Sequence, residues 1–137
     1  MKAFLFTIPF LISTSLSAED VVLDTTTSLL WQDAIENVGL TMTYFEAQDY
    51  CSRLEVKQYK NFRLPTLFEL QTIIDYKKYK PAVLDGFRHM DNETYWTTTP
   101  FADDGSEVWT VNFKKGEIAV KGKHYSRNVR CVTEKVN

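Results

Sequence analysis

Cysteine is scarce: the 137 residues contain two, Cys51 and Cys131. With none ahead of position 51, the sequence argues against a lipid-modified amino-terminal cysteine. Cys51, His89, His124 and Cys131 also lack the close-paired spacing of a structural zinc site. Long hydrophobic runs are missing too. The one apolar run, Ala3 to Ile12 interrupted by Thr7, is shorter than the ~20 residues a membrane-spanning helix needs. No repeat and no low-complexity linker divides the chain, so its length is room for one domain. Net charge is slight, −2, which argues against a general nucleic-acid binder.

What is present begins with the layout of a secretory signal peptide over residues 1–18. Lys2 supplies the positive start, the apolar run follows, and Ser13 to Ala18 is small and polar apart from Leu16. Cleavage is expected after Ala18. That leaves one exported domain, residues 19–137, periplasmic or secreted and without a membrane span. Losing Lys2 leaves fifteen basic residues against eighteen acidic ones, a net charge of −3. In an exported protein an even cysteine count reads as a disulfide. A Cys51–Cys131 bond would close a loop of about 80 residues and contribute up to ~4 kcal/mol by chain entropy. A catalytic cysteine with His89 or His124 as base is the rival reading. It ranks behind the disulfide because both cysteines are expected to be oxidised.

Leu29 to Gln32 is a short strand candidate. Thr43 and Glu46 form a capping box that opens a helix, on which Tyr44, Ala47, Cys51 and Leu54 make one buried stripe. Cys51 therefore points inward. Thr66 and Glu69, after Pro65, form a second capping box. The helix it starts carries Leu67, Leu70, Ile73 and Ile74 and is expected to run to about Tyr76, ahead of Pro81. The period then changes to two. Tyr95 to Thr99 is a strand candidate, and Trp109, Val111 and Phe113 alternate with Val108, Thr110 and Asn112 as in a half-buried strand. Lys114 to Glu117 reads as a hairpin turn, Ile118 to Lys121 as the return strand, and Asn128 to Thr133 as the last strand. A strand, two helices and a run of strands point to an α+β domain.

Several segments together resemble a known family. They are Asp24 to Asp33 (DTTTSLLWQD), Tyr44 to Leu54, Asn61 to Leu70 (NFRLPTLFEL), Tyr95 to Thr98, Val108 to Gly116 (VWTVNFKKG) and Arg127 to Val132 (RNVRCV). Over roughly residues 24–133 they resemble the Lcl C-terminal domain, carried by a bacterial collagen-like adhesin. The R-L-P-T followed by Glu, and the terminal R-C-V, are also similar to the formylglycine-generating, sulfatase-modifying enzymes. The resemblance implies a C-type-lectin-like fold, two helices packed on a small, mostly antiparallel twisted sheet. It also implies a disulfide from the first helix to the last strand. Phe62 and Thr27-Ser28-Leu29 depart from the family's usual Trp and Thr-Gly-Leu. The E-P-N, Q-P-D and W-N-D motifs of calcium-dependent lectins are missing, as is the active-site cysteine pair of the formylglycine enzymes. Neither activity is carried over.

Four groups of residues are candidate sites. Arg63, Pro65, Thr66 and Glu69 could line a pocket, but capping already explains Thr66 and Glu69, and a structural role is favoured. Asp91, Asn92, Glu93, Asp103 and Asp104 offer the oxygen ligands calcium prefers. They lack EF-hand spacing, so solvated loops are the favoured reading. Lys114, Lys115, Lys121, Lys123 and Arg127 lie in a basic stretch, residues 114–130, whose one acid is Glu117. Lys121 and Lys123 fall on the same side of an extended segment. Such a patch suits a sulfated or phosphorylated polyanion, and the adhesin resemblance implies glycosaminoglycan binding. The competing and favoured role is protection of a sheet edge. Tyr95, Trp96 and Trp109 could stack on sugars, though core packing is favoured. The expected function is an exported, non-enzymatic module that binds a glycan, polyanion or surface protein. The alternatives are a structural envelope protein without a small ligand and an accessory protein related to the formylglycine system.

Overall fold

The computed structural model describes residues 20–135, so the expected signal peptide, residues 1–18, lies outside them. Strands β1 (Val21–Asp24) and β2 (Leu29–Gln32) form a hairpin, and a 3-10 turn covers Ile35–Asn37. Then come β3 (Thr41–Met42), α1 (Tyr44–Arg53) and α2 (Leu67–Gln71). The remaining strands are β4 (Thr94–Pro100), β5 (Glu107–Asn112), β6 (Glu117–Gly122), β7 (Arg127–Asn128) and β8 (Val132–Glu134). They make a three-stranded sheet, β1–β2–β8, and a five-stranded one, β3–β7–β4–β5–β6. Pairing is antiparallel except between β4 and β7. The α+β class with two helices on mostly antiparallel sheets is therefore as expected. Among the described residues no helix is long and apolar enough to cross a membrane.

Both capping boxes form. Thr43 Oγ1 accepts from the Glu46 N–H, and Glu46 Oε1 accepts from the Thr43 N–H at 2.9 Å. Thr66 and Glu69 repeat the arrangement. Helix α2 is shorter than its apolar spacing predicts. After Gln71 the backbone finds partners in a neighbouring segment: the Leu84 N–H donates to Ile73 O at 3.0 Å and Asp75 N–H to Ala82 O at 3.1 Å. Ile73 and Ile74 are still buried, but from this ladder and not from a helix. The predicted last strand is also two strands. Arg127–Asn128 belongs to the large sheet and Val132–Glu134 to the small one, so Val129 to Cys131 carry the chain from one sheet to the other. Cys131 thus sits immediately before the final strand.

The large sheet has a core on each side. Tyr95, Val111 and Phe113 pack with Trp31, Leu70 and Ile73. Trp96 and Val108 pack with Tyr44, Ala47, Cys51 and Val129 under α1. Side chains alternate across a strand, so β4 and β5 feed both cores. This is why Val108 and Thr110, on the second side of the predicted half-buried strand, are as buried as Val111.

Where the two sheets meet, a buried ion pair joins them. Arg130 is fully buried and the Asp33 side chain is 1% exposed. Arg130 Nη1 donates to Asp33 Oδ1 at 2.9 Å and to Gln32 O at 2.6 Å, and Nη2 donates to His89 O. Asp33 also accepts from the Arg88 and His89 backbone N–H groups at 2.9 and 3.0 Å. Next to this pair the Cys131 N–H donates to Gln32 Oε1, Gln32 Nε2 donates to Tyr50 Oη on α1, and Cys131 is bonded to Cys51. The expected disulfide is present, with a sequence separation of 80.

Arg63 forks onto both Glu69 oxygens at 2.7 and 2.9 Å and reaches Glu134 at 2.7 Å. It ties the start of α2 to β8, the structural role expected of this motif. Its guanidinium, with the Thr66 N–H, holds the Glu69 carboxyl below the ordinary carboxylate range.

Two stability outcomes follow. Arg130→Met leaves Asp33 buried without its counter-charge and should cost about 3–5 kcal/mol, read from urea unfolding; a loss below ~1 kcal/mol would contradict the central role given to the pair. Glu69→Gln tests the second contact. Because the Glu69 pKa is depressed in the fold, its contribution is present at neutral pH and lost as pH falls through the folded value. The variant should therefore be less stable than wild type at pH 7. The gap should close below about pH 4; a gap that stayed constant with pH would rule out the ionised contact.

Candidate functional site

β6 is the edge strand of the large sheet, and its register decides which way its charges face. Lys121 stands opposite Val108, on the α1 side of the sheet. Lys123, two residues on, points the same way, and its carbonyl accepts the Tyr44 N–H at 3.1 Å. The chain leaving β6 is thereby fixed to the first residue of α1. Lys123 Nζ lies 5.2 Å from the Tyr44 ring centroid and 5.8 Å from that of Phe45. Tyr44 meets Trp96 edge-on at 5.7 Å, which sets it in the core. Burial pushes the Tyr44 phenol above its ordinary pKa, so it stays neutral.

Phe45 is 55% exposed and meets the His124 ring at 6.4 Å. Tyr125 is 66% exposed, with the Arg127 guanidinium 5.8 Å from its centroid. Arg127 is positioned by β7, where it pairs with Met42 of β3, and the Met42 carbonyl accepts from Trp96 Nε1 at 2.8 Å. Arg127 Nε is buried and has no hydrogen-bond partner among the described residues. Glu46, the acid in the first turn of α1, is committed to its cap on Thr43. The result is one cluster of Lys121, Lys123, His124 and Arg127 around two exposed rings. It offers cations to an anionic group and apolar ring faces to the body of the same ligand.

The predicted basic stretch is not one patch. Lys114 and Lys115 lie in the turn before β6 and Lys123 in the turn after it, with the six-residue strand, about 17 Å at ~3.3 Å per residue, between them. Arg130 is interior. Between the two ends Glu117 and Lys121 border a shallow cavity of about 220 Å³, with Thr94, Thr110 and Asn112. A larger cleft of about 440 Å³ along α1 is lined by Glu46, Asp49, Tyr50, Arg53, Leu54 and Glu55, with Arg53 paired to Asp49. A third, about 330 Å³, lies between Tyr59, Asn61 and Thr133.

The five oxygen-bearing residues proposed for calcium are not gathered. Asp91 Oδ2 is engaged by the Gly39 N–H at 2.7 Å and Asn128 Nδ2 at 2.8 Å. Asp104 caps Ser106, whose side-chain and backbone donors hold its pKa down. Asn92, Glu93 and Asp103 are exposed. Among the described residues no three His, Cys, Asp or Glu side chains stand close enough to hold a metal ion. Tyr95 and Trp96 are fully buried, and Trp109 meets Phe101 edge-on at 5.8 Å. Of the rings that face solvent at the cluster, Tyr125 lies within the basic stretch read from the sequence, and Phe45 escaped that reading. Phe45 had a signal of its own: a large apolar residue one position off the buried stripe of an amphipathic helix.

A comparison with curated proteins finds no match. The description Lcl C-terminal domain matches residues 20–133, from the start of β1 into β8. With most of its length covered by that match, the chain belongs to the Lcl C-terminal domain family.

Proposed function

We propose that this domain is an exported binding module, without catalytic activity, that holds a sulfated or phosphorylated polyanion at the amino end of α1. One observation carries the reading. Lys123 lies over Tyr44 and Phe45, and Arg127 over Tyr125, where the chain leaving β6 is bonded to the start of α1. Lysines that only protect an edge strand need no exposed aromatic neighbours. Membership of the family supports a bacterial surface, adhesin-related module. A C-type-lectin-like architecture is supported by the first and last strands sharing a sheet through β2 and by the disulfide from α1 to the chain end. Export is supported by the amino-terminal layout of the sequence and by that disulfide, which persists in oxidising compartments. The mutual bonding of both cysteines favours binding over thiol chemistry of the formylglycine type.

The test is retention of the oxidised chain, residues 19–137, on immobilised heparin. Three half-buried contacts at ~0.5–1 kcal/mol each make the Lys121→Ala, Lys123→Ala, Arg127→Ala variant bind about tenfold or more weakly. Its circular dichroism and melting temperature should match wild type. Retention should also survive chelator. Unchanged salt elution of the variant, or loss of wild-type binding in chelator, would sink the reading.

A further inference from the structure

The second half of the predicted basic patch has company that its sequence neighbours do not reveal. Between α2 and β4 the chain folds into a loop whose tip is Tyr76-Lys77-Lys78-Tyr79-Lys80. The loop is tied to the β5–β6 turn by backbone bonds, Lys80 N–H to Lys114 O at 3.0 Å and Ala82 N–H to Phe113 O at 2.7 Å. Gly116 in that turn has φ +89°, and a Cβ there would stand 2.6 Å from Ile74 Cγ2 and 3.0 Å from the Tyr76 ring. Only glycine lets the two segments close this tightly.

The closure gathers Lys77, Lys80, Lys114 and Lys115, all exposed, around Tyr76 and Tyr79, which are 69% and 53% exposed. Lys80 Nζ lies 5.2 Å from the Tyr79 centroid, the same cation-over-ring arrangement as at α1. Lys78 is paired with Asp85 and is not counted. Asp75 accepts the Lys77 N–H within the loop, and Glu117 follows the turn. Among the described residues none of these four ammonium groups has an ion-pair partner, and drawn together they repel one another. Edge protection would need neither that crowding nor two exposed tyrosines.

We propose that the Tyr76–Lys80 loop and the Lys114–Lys115 turn form a second anion-binding site, separate from the one at α1 and taking the same class of sulfated or phosphorylated polymer. It rests on the reading of the first site. Placed at opposite ends of β6, the two sites hold one long polymer at two points. That arrangement strengthens attachment through effective concentration without any new contact.

The experiment counts ligands. A heparin hexasaccharide is titrated into the oxidised chain, residues 19–137, by calorimetry and native mass spectrometry. Wild type binds two. The Lys77→Ala, Lys114→Ala, Lys115→Ala variant changes only exposed side chains and binds one, with the α1 site unaltered. The variant lacking Lys121, Lys123 and Arg127 also binds one, and the combination binds none. Tyr79→Ala weakens the second site by about two- to fivefold. A wild type that binds one hexasaccharide, unaffected by the Lys77, Lys114 and Lys115 changes, overturns the second site and leaves the first standing. Loss of anionic-vesicle binding in that variant, with hexasaccharide stoichiometry unchanged, overturns it as well by assigning the surface to lipid. No hexasaccharide binding at all defeats both sites together.

Discussion

The ion pair between Asp33 and Arg130 is the contact on which the rest of this molecule depends. A charge that is fully buried needs a partner and hydrogen bonds, and here each partner recruits its own. Arg130 draws in the carbonyls of Gln32 and His89. Asp33 takes the N–H groups of Arg88 and His89. Three segments far apart in sequence are thereby pinned at one point: the end of β2, the loop before β4, and the crossing from β7 to β8. Gln32 and Cys131, the next residues along, extend the knot to α1 through Tyr50 and the disulfide. The crossing itself is a consequence. The chain must leave the large sheet at Val129 so that Arg130 can reach inward, and it rejoins the small sheet at Val132.

With that knot in place, the position of the proposed binding surface follows. The large sheet is covered on both sides at β4 and β5, so its open margin is β6. The far end of this edge strand is stitched to α1 by the Tyr44 N–H to Lys123 bond, and its near end to the 76–80 loop through Lys114. Both junctions bring an aromatic segment against a lysine. The helix start contributes Tyr44 and Phe45, and the loop contributes Tyr76 and Tyr79. The cations are thus partly preorganised on ring faces, which lowers the entropy a flexible lysine loses on meeting a ligand.

Much of this was legible in the sequence, and the failures have a common cause. Local signals held: both capping boxes, the β5–β6 hairpin, the buried stripe of α1 and the disulfide are where the residues put them. The errors arose wherever a distant segment competed for the same backbone. Ile73 and Ile74 keep helical spacing, yet the residues from Ala82 to Leu84 offer a ladder that ends α2 at Gln71. Asn128 to Thr133 reads as one strand because nothing local reports that Arg130 has a buried partner 97 residues away. Counting charge along residues 114–130 merged two surfaces and an interior residue, because linear proximity along an extended strand becomes distance in space. Lys77 and Lys80 were invisible for the converse reason, since their neighbours Lys114 and Lys115 are joined to them only by the fold.

In a chain of slightly negative net charge, the proposed anion sites depend on local charge, and several of the acids are already engaged. Asp33 is sealed against Arg130, Glu69 against Arg63, Asp91 against Gly39 and Asn128, and Glu46 against its own helix cap. Asp33 faces inward, whereas Glu46 is exposed and keeps its charge at the start of α1. Among the described residues Lys114, Lys115, Lys121 and Lys123 form no ion pair, while Lys78 of the loop pairs with Asp85. At physiological salt, charges more than ~8 Å apart barely sense each other across solvent. A ligand at the proposed α1 site would therefore respond to the charges close to it, Lys121, Lys123, Arg127 and Glu46, and not to the molecular total. The same screening keeps each cluster weak by itself, since exposed ion pairs contribute little singly. Strong attachment in such a domain comes from repeating the contact along a polymer, which is what two separated clusters on one rigid strand permit.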